Sequence, residues 1–171
     1  MSGEKKILIF VHNFYEELEL HYPRIRLIEE GYKVHVAGPE SDTTYEGKNG
    51  YPCKSDVAIQ NMSADDFDGL VIPGGYAPDK LRTMPKALEL TRKFDEQGKL
   101  VAFICHAGWV PASAGILKGR KCTSYHAIKD DVINAGADWS DEPVVVDKNL
   151  VSSRMPKDLP VFCRSILKIL A

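Results

Sequence analysis

The chain alternates short, almost wholly apolar runs with longer segments in which apolar residues recur every three or four positions. KILIFVH (Lys6 to His12), YKVHVAG (Tyr32 to Gly38), GLVIPGG (Gly69 to Gly75) and LVAFI (Leu100 to Ile104) have strand length and few polar residues, which predicts strands buried on both faces. Between them, Glu16 to Glu30 predicts a helix stopped at Gly31. Pro85 to Gln97 predicts another, with Pro in its first turn and Gly98 after its end. Tyr45 to Lys54, with Asn49-Gly50 inside it, predicts a hairpin or a short excursion that interrupts the alternation. Further on come a strand over Lys121 to Ser124 and a helix over Ile128 to Ala135. VVVDKNLVSSR then gives two strands around a turn at Asp147 to Asn149, and the closing helix covers Asp158 to Leu170. This order predicts an α/β fold, a mostly parallel central sheet covered by helices on both faces.

Composition narrows the function classes. A length of 171 residues suits one domain with a single core, spanning residues 1–171. The 22 basic and 24 acidic residues are interspersed and leave a formal charge of only −2, so no nucleic-acid partner is expected. The basic cluster KGRK at Lys118 to Lys121 reads as a solvated turn. No apolar run has the length of a signal peptide or a membrane span, which predicts a cytoplasmic protein with no membrane partner. Four cysteines, at 53, 105, 122 and 163, show no CxxC spacing, so reduced thiols are expected, with no disulfide and no metal. Cys163 shares one helix face with Leu159, Phe162, Ile166, Leu167 and Leu170 and reads as packing. Gly74-Gly75 fits neither GxGxxG nor GxxxxGK[ST], and no cofactor is expected.

Open α/β sheets bind ligands beyond the carboxyl ends of their strands, so the loops His12 to Glu16, Pro73 to Asp79 and Cys105 to Gly108 carry the candidate chemistry. In KLVAFICHAGWVPASAG a strand turns directly into a small-residue helix, which puts Cys105 on a tight bend like the nucleophile elbow of hydrolases. At the positive end of a helix, N–H groups favour thiolate and lower a cysteine pKa from about 8.5 to between roughly 3.5 and 7.5. The alternative is a buried structural cysteine; the strand-end position beside His106 favours reactivity. His106 is a general base or thiolate partner if the neighbouring side chains converge, and a packing or solvent-facing residue if they diverge. Glu16 either lies over the cysteine, protonated and donating to its sulfur, or pairs with the helix dipole as Glu17 and Glu19 are expected to do. Gly75 supplies an oxyanion-binding N–H together with that of His106, or a tight turn.

With Cys105-His106 at the bend, VIPGGYAPDKLR before it, FYEELELHYP near the start, and TSYHAIKDDVINAGADW followed by EPVVVDKNLVSSRMPKDLP, the chain resembles PfpI-type members of the ThiJ/PfpI superfamily nearly end to end. The resemblance implies a flavodoxin-like three-layer α/β sandwich and a nucleophilic Cys105. It implies Glu16 as the carboxylate beside the sulfur, and the N–H groups of Gly75 and His106 as oxyanion donors. It also implies a homo-oligomer, dimer or hexamer, in which His106 is oriented by an acid from a neighbouring subunit. Asp79 holds that position, where many relatives carry Glu; its alternative is a helix N-cap or first-turn acid. Tyr125 falls beside the cleft, with ordinary packing as its alternative. Two departures touch the pocket: Ala107-Gly108-Trp109 replaces the common Gly-Pro after Cys-His, and His126 stands where Pro is frequent. The implied activity is cysteine-dependent hydrolysis, either as an intracellular peptidase or as a deglycase or glyoxalase acting on methylglyoxal or its protein adducts. The substrate is then a small carbonyl compound or a peptide. The competing expectation is a non-catalytic oxidative-stress sensor or chaperone working through oxidation of Cys105.

Overall fold

The apolar runs form the centre of the computed structural model, which describes residues 4–171. In chain order the elements are β1 (Lys6–Phe10), α1 (Glu17–Glu29), β2 (Lys33–Gly38), β3 (Thr44–Glu46), β4 (Pro52–Lys54), β5 (Val57–Ala58), β6 (Gly69–Ile72), α2 (Ala77–Leu81) and α3 (Pro85–Glu96). There follow β7 (Leu100–Ile104), a 3-10 turn (Cys105–Gly108), α4 (Trp109–Ala114), β8 (Lys121–Cys122), α5 (Lys129–Asn134), β9 (Asp138–Trp139), β10 (Val144–Asp147), β11 (Leu150–Ser153) and α6 (Leu159–Leu170). The main sheet runs β10-β11-β7-β6-β1-β2-β5, parallel throughout except for the β10–β11 pair.

Register explains the dryness of this sheet. Leu8, Leu70, Val101 and Leu150 lie opposite one another across four strands, and the next row is Ile9, Val71, Ala102 and Val151. Adjacent residues of a strand face opposite sides, and both rows are fully buried, so helices must cover both faces. α1 packs with α6 and α3 with α4, the two outer layers of a flavodoxin-like sandwich. Each fully buried aliphatic side chain contributes about 1.5–3 kcal/mol relative to exposure. Among the described residues, no helix is long and apolar enough to cross a membrane.

Three boundaries differ from the sequence expectation. The strand expected over Gly69 to Gly75 ends at Ile72: Pro73 has no N–H to donate, and the next residues bond to the loop after β1 instead, through Glu16 N–H to Gly74 O (3.0 Å) and Tyr76 N–H to Phe14 O (2.8 Å). The strand expected over Lys121 to Ser124 keeps two residues and pairs with β9 outside the main sheet, while Thr123 donates its N–H to the Ser152 hydroxyl at 2.9 Å. The helix expected over Ile128 to Ala135 begins as a 3-10 turn at His126–Ile128.

At the opposite end of the sheet from the site, one guanidinium ties three segments together. Arg120 donates to Asp95 at 3.0 Å, to Asp147 Oδ2 at 3.2 Å, and to Asn149 Oδ1 and the Asp147 carbonyl at 2.9 Å each. Asn149 in turn donates to Asp95 (3.0 Å) and Lys99 O (2.9 Å). Removing the cation leaves two partly buried carboxylates that keep donors from Lys121 and Asn149. Arg120→Ala is therefore expected to lower stability by about 2 kcal/mol, below the roughly 3–5 kcal/mol of a broken fully buried pair, read as a shifted urea midpoint with unchanged slope.

Candidate active site

The order of the strands decides where the loops meet. From β1 the chain passes to β2 on one side and later to β6 on the other, and ligands bind at such switch points. The loop after β1 (residues 11–16) and the loop after β6 (residues 73–76) pair there through the bridge between Tyr15 and Gly75. β7 lies beside β6 and delivers Cys105 to the same edge.

Cys105 is 9% exposed and has φ of +64°, a left-handed conformation that costs a non-glycine residue about 1–2 kcal/mol. Ile104 before it is still extended, so the reversal falls on the cysteine and turns its sulfur out of the strand toward the loops. Two glycines make room. A Cβ on Gly74 would meet Glu19 Oε1 at 2.5 Å and Cys105 Cβ at 2.8 Å. Gly75 has φ of +82°, and a Cβ there would meet Phe14 O and Glu16 N at 2.5 Å. The backbone N–H groups of His106 and Gly75 act on the sulfur in the direction that favours its thiolate.

The carboxyl group at the sulfur belongs to Glu19, which corrects the expectation for Glu16. Glu16 is the N-cap of α1 and keeps extended backbone angles; its side chain turns back to accept the Glu19 N–H at 2.8 Å. Glu19, one turn further, lies on the buried face with Pro23 and Leu27, is 0% exposed, and accepts the Gly74 N–H at 3.0 Å through Oε1. Its other oxygen, Oε2, is buried and has no hydrogen-bond partner among the described residues, while a Cβ on Gly74 would meet both Glu19 Oε1 and Cys105 Cβ, which places the carboxyl group beside the cysteine. Its role is thus not the helix-dipole pairing expected for it. Periodicity carried the signal: Glu19, Pro23 and Leu27 are spaced by four, so Glu19 falls on the apolar stripe.

Burial first and the charge of Glu16 second push the Glu19 pKa up to about 8, against the smaller lowering by the Gly74 N–H and the charge of Lys48. The Cys105 thiol is pushed up to about 12, by burial first and by the charge of Glu19 second, against the lowering expected at a helix start. Near neutral pH Glu19 is mostly protonated, so the second cause is largely absent.

His106 does converge with its neighbour: Nδ1 lies 3.3 Å from the Cys105 sulfur. Its ring stacks on Tyr125 (centroids 5.0 Å apart, 29° between planes) and meets the edge of Trp109 at 5.3 Å. Burial lowers the His106 pKa, with the cations of Lys48 and His126 adding to the effect, so the ring is neutral at pH 7 and able to take a proton. Trp109 is fixed by its Nε1–H to Asp131 (2.8 Å) and by the Arg82 guanidinium 5.3 Å from its ring. His126 is exposed and leans on Tyr125 at 4.5 Å, at the outer end of the aromatic row. Asp79 is exposed in the short helix α2 and has no hydrogen bond to His106 within this chain, among the described residues. The structure thus brings Cys105, His106, Gly75, Tyr125 and Trp109 together, sets Glu16 one turn behind, and leaves Asp79 facing outward. Besides Glu19, the sequence reading passed over Lys48, whose charge acts on Cys105, Glu19 and His106 alike.

The buried carboxyl group links pH to stability. In the unfolded chain Glu19 titrates near its ordinary 4.5, and in the folded chain near 8, so between these values the native state holds the extra proton and stability falls as pH rises. Its slope is bounded at about 1.4 kcal/mol per pH unit. Glu19→Gln keeps the acceptor for Gly74 but cannot ionise. Its urea midpoint is expected to change less between pH 5 and pH 8 than that of the wild type, and equal slopes would remove Glu19 as the titrating group.

Comparison with known proteins identifies the family. The model of the DJ-1/PfpI family matches residues 5–169. Deglycase PfpI of Pyrococcus furiosus is 49% identical over 165 residues, covering 96% of this chain and 99% of that protein. YraA of Bacillus subtilis, named as a candidate cysteine protease, is 41% identical over 97% of this chain and 98% of its own. A crystal structure of a two-domain protein from Anabaena variabilis, with DJ-1/ThiJ/PfpI-like and ferritin-like domains, superposes with a TM-score of 0.96 at 40% identity, covering 98% of this chain and 48% of that one. With a family match over nearly its whole length and relatives of this closeness, the chain belongs to the DJ-1/PfpI family.

Proposed function

We propose that the protein is a cysteine-dependent deglycase acting on 1,2-dicarbonyls and on their adducts with amines. The observation that carries this reading is the set of groups around one sulfur: a strained Cys105, two backbone N–H donors, a protonated carboxyl group and a neutral imidazole 3.3 Å away. The close relative bearing the name deglycase supports the same class.

The chemistry follows from those positions. His106 takes the thiol proton, and the sulfur adds to the aldehyde carbon of the dicarbonyl; a C–S bond forms and the C=O π pair moves to oxygen. The N–H groups of Gly75 and His106 hold that oxyanion until it receives the proton back, giving a hemithioacetal. Transfer of the hydrogen on that carbon, as a proton, to the neighbouring carbonyl carbon through an enediol turns the hemithioacetal into the thioester of a 2-hydroxy acid, with no external oxidant. Water then cleaves the C–S bond, its hydroxyl joining the acyl carbon and its hydrogen returning to sulfur. When the dicarbonyl arrives bound to an amine, the C–N bond breaks as the C–S bond forms, and the amine leaves with a proton. A peptidase would use the same donors on an acyl-enzyme.

We also take the chain to assemble with copies of itself. A groove of about 970 Å³ between α1 and the β3–β4 hairpin is lined by Leu18, Ile25 and Tyr51, which are 58%, 61% and 62% exposed, and by Arg24, whose Nε is buried without a partner. Asp79, outward-facing, is then the acid that orients the His106 of a neighbouring subunit.

Wild type is expected to convert methylglyoxal to lactate and to release free amine from methylglyoxal-treated N-acetyllysine, and Cys105→Ser to lower both rates by at least about 10³-fold. Equal rates in the two proteins, or turnover of a chromogenic peptide alone, overturn the deglycase reading. Asp79→Asn is expected to lower kcat about tenfold or more at unchanged solution mass. Mixing Asp79→Asn with Cys105→Ser subunits is expected to restore part of the activity, because one subunit then supplies the acid and the other the thiol; no recovery assigns Asp79 to α2 alone.

A further inference from the structure

The tip of the β3–β4 hairpin reaches the site from outside the main sheet. Tyr15 forms bridges on both its sides, parallel to Gly47 and antiparallel to Gly75. Three backbone strips therefore lie side by side, with the hairpin tip outermost and the oxyanion-binding N–H of Gly75 innermost. At the spacing of paired strands, the outer strips are roughly 10 Å apart, within the combined reach of a lysine side chain and a small ligand. The tip is fixed: Lys48 donates its N–H to Tyr15 O at 2.9 Å, and Asn49 bonds both oxygens of Glu17 from its N–H (2.6 Å) and Nδ2 (3.1 Å).

Fixing the tip this way uses up the nearest carboxylate of α1 and leaves Lys48 free. Glu17 is engaged by Asn49, and Lys48 is exposed and forms no ion pair among the described residues. Its field nevertheless acts on Cys105, Glu19 and His106 together. Glu19 is mostly neutral near pH 7, so it does not repel an anion brought to the sulfur.

We propose that Lys48 selects the substrate by its charge: the site prefers carbonyl compounds that carry a carboxylate within one or two bonds of the electrophilic carbon. This rests on the nucleophilic Cys105 of the preceding reading and adds the substrate class. The covalent step is unchanged, with the C–S bond forming as the C=O π bond opens and the thiol proton passing through His106 to oxygen. The carboxylate takes no part in bond making and is held against the ammonium group.

Alkylation tests this without requiring turnover. Iodoacetate and iodoacetamide both displace iodide with the Cys105 sulfur, and differ mainly in the carboxylate that one carries. Removing Lys48 also shifts the thiol, but that change affects both reagents equally and cancels in the ratio of their rates. With the Cys105 peptide followed by mass spectrometry, the iodoacetate-to-iodoacetamide ratio is expected to fall about three- to fivefold in Lys48→Met and Lys48→Gln, the size an exposed ion pair supports, and to recover in Lys48→Arg. In the wild type, 0.5 M salt is expected to lower the ratio toward that of Lys48→Met. An unchanged ratio in either neutral variant, or equal slowing by both reagents, overturns the proposal. A wild type that leaves methylglyoxal untouched while its alkylation ratio still depends on Lys48 would sink the deglycase reading and keep the carboxylate preference.

Discussion

The hydrogen bond from the Gly74 N–H to Glu19 Oε1, 3.0 Å long and closed to solvent, holds the active edge together. It joins the first turn of α1 to the loop after β6, two segments more than fifty residues apart in sequence, beside the sulfur that follows β7. Only a residue without a side chain fits at position 74, because Glu19 Oε1 and Cys105 Cβ occupy the space where a Cβ would project. Once the loop is held there, Gly75 is free to turn into its positive-φ conformation, pair with Tyr15 and aim its N–H at the sulfur. A left-handed cysteine is sustained because its surroundings are determined by bonds it does not itself make.

The same enclosure sets the protonation of the site. A cysteine at a helix start is expected to ionise readily, and the N–H groups of His106 and Gly75 do act in that direction. Burial acts against them and prevails, so the resting site holds a thiol, a carboxylic acid and a neutral imidazole. None of these three groups then carries a charge between reactions. Charge forms when an electrophile arrives, at the moment the sulfur adds and the oxygen takes the electron pair, where fixed N–H dipoles are already in place. This favours nucleophilic chemistry coupled to proton transfer over spontaneous oxidation, which needs standing thiolate.

Much of this was legible in the residues. The continuous apolar runs gave the buried parallel strands, and a cysteine at the junction of such a run with a small-residue helix marked the elbow. Cys163, on its apolar stripe, is packing as expected. What sequence order could not convey was which of three acids in EELE faces the sulfur. First-turn position made Glu16 conspicuous, but an N-cap residue has extended angles and its carboxylate turns toward the helix's own free N–H groups. The apolar stripe through Pro23 and Leu27 pointed to Glu19, a weaker cue because a buried acid is the exception on such a stripe. The expected low thiol pKa missed for a related reason: helix-terminal N–H groups can be read from a strand-to-helix junction, whereas desolvation depends on loops that arrive from elsewhere.

The β3–β4 hairpin shows how such a distant contribution is made. In a doubly wound sheet, side chains at the carboxyl edge come from loops that follow strands, and those loops are short because each must lead into a helix. An excursion between β2 and β5 escapes that limit. Its tip returns along Tyr15 and adds an outer backbone strip to a site whose inner strips are set by the sheet. The elbow and the glycine loop are bound by the packing of β6, β7 and α1, where a changed residue disturbs the core. The tip is held by backbone bonds and by Asn49, so the Lys48 side chain can be changed without moving the sulfur or its donors. Reactivity is therefore fixed by the core, and the hairpin is where the fold leaves room to choose among electrophiles.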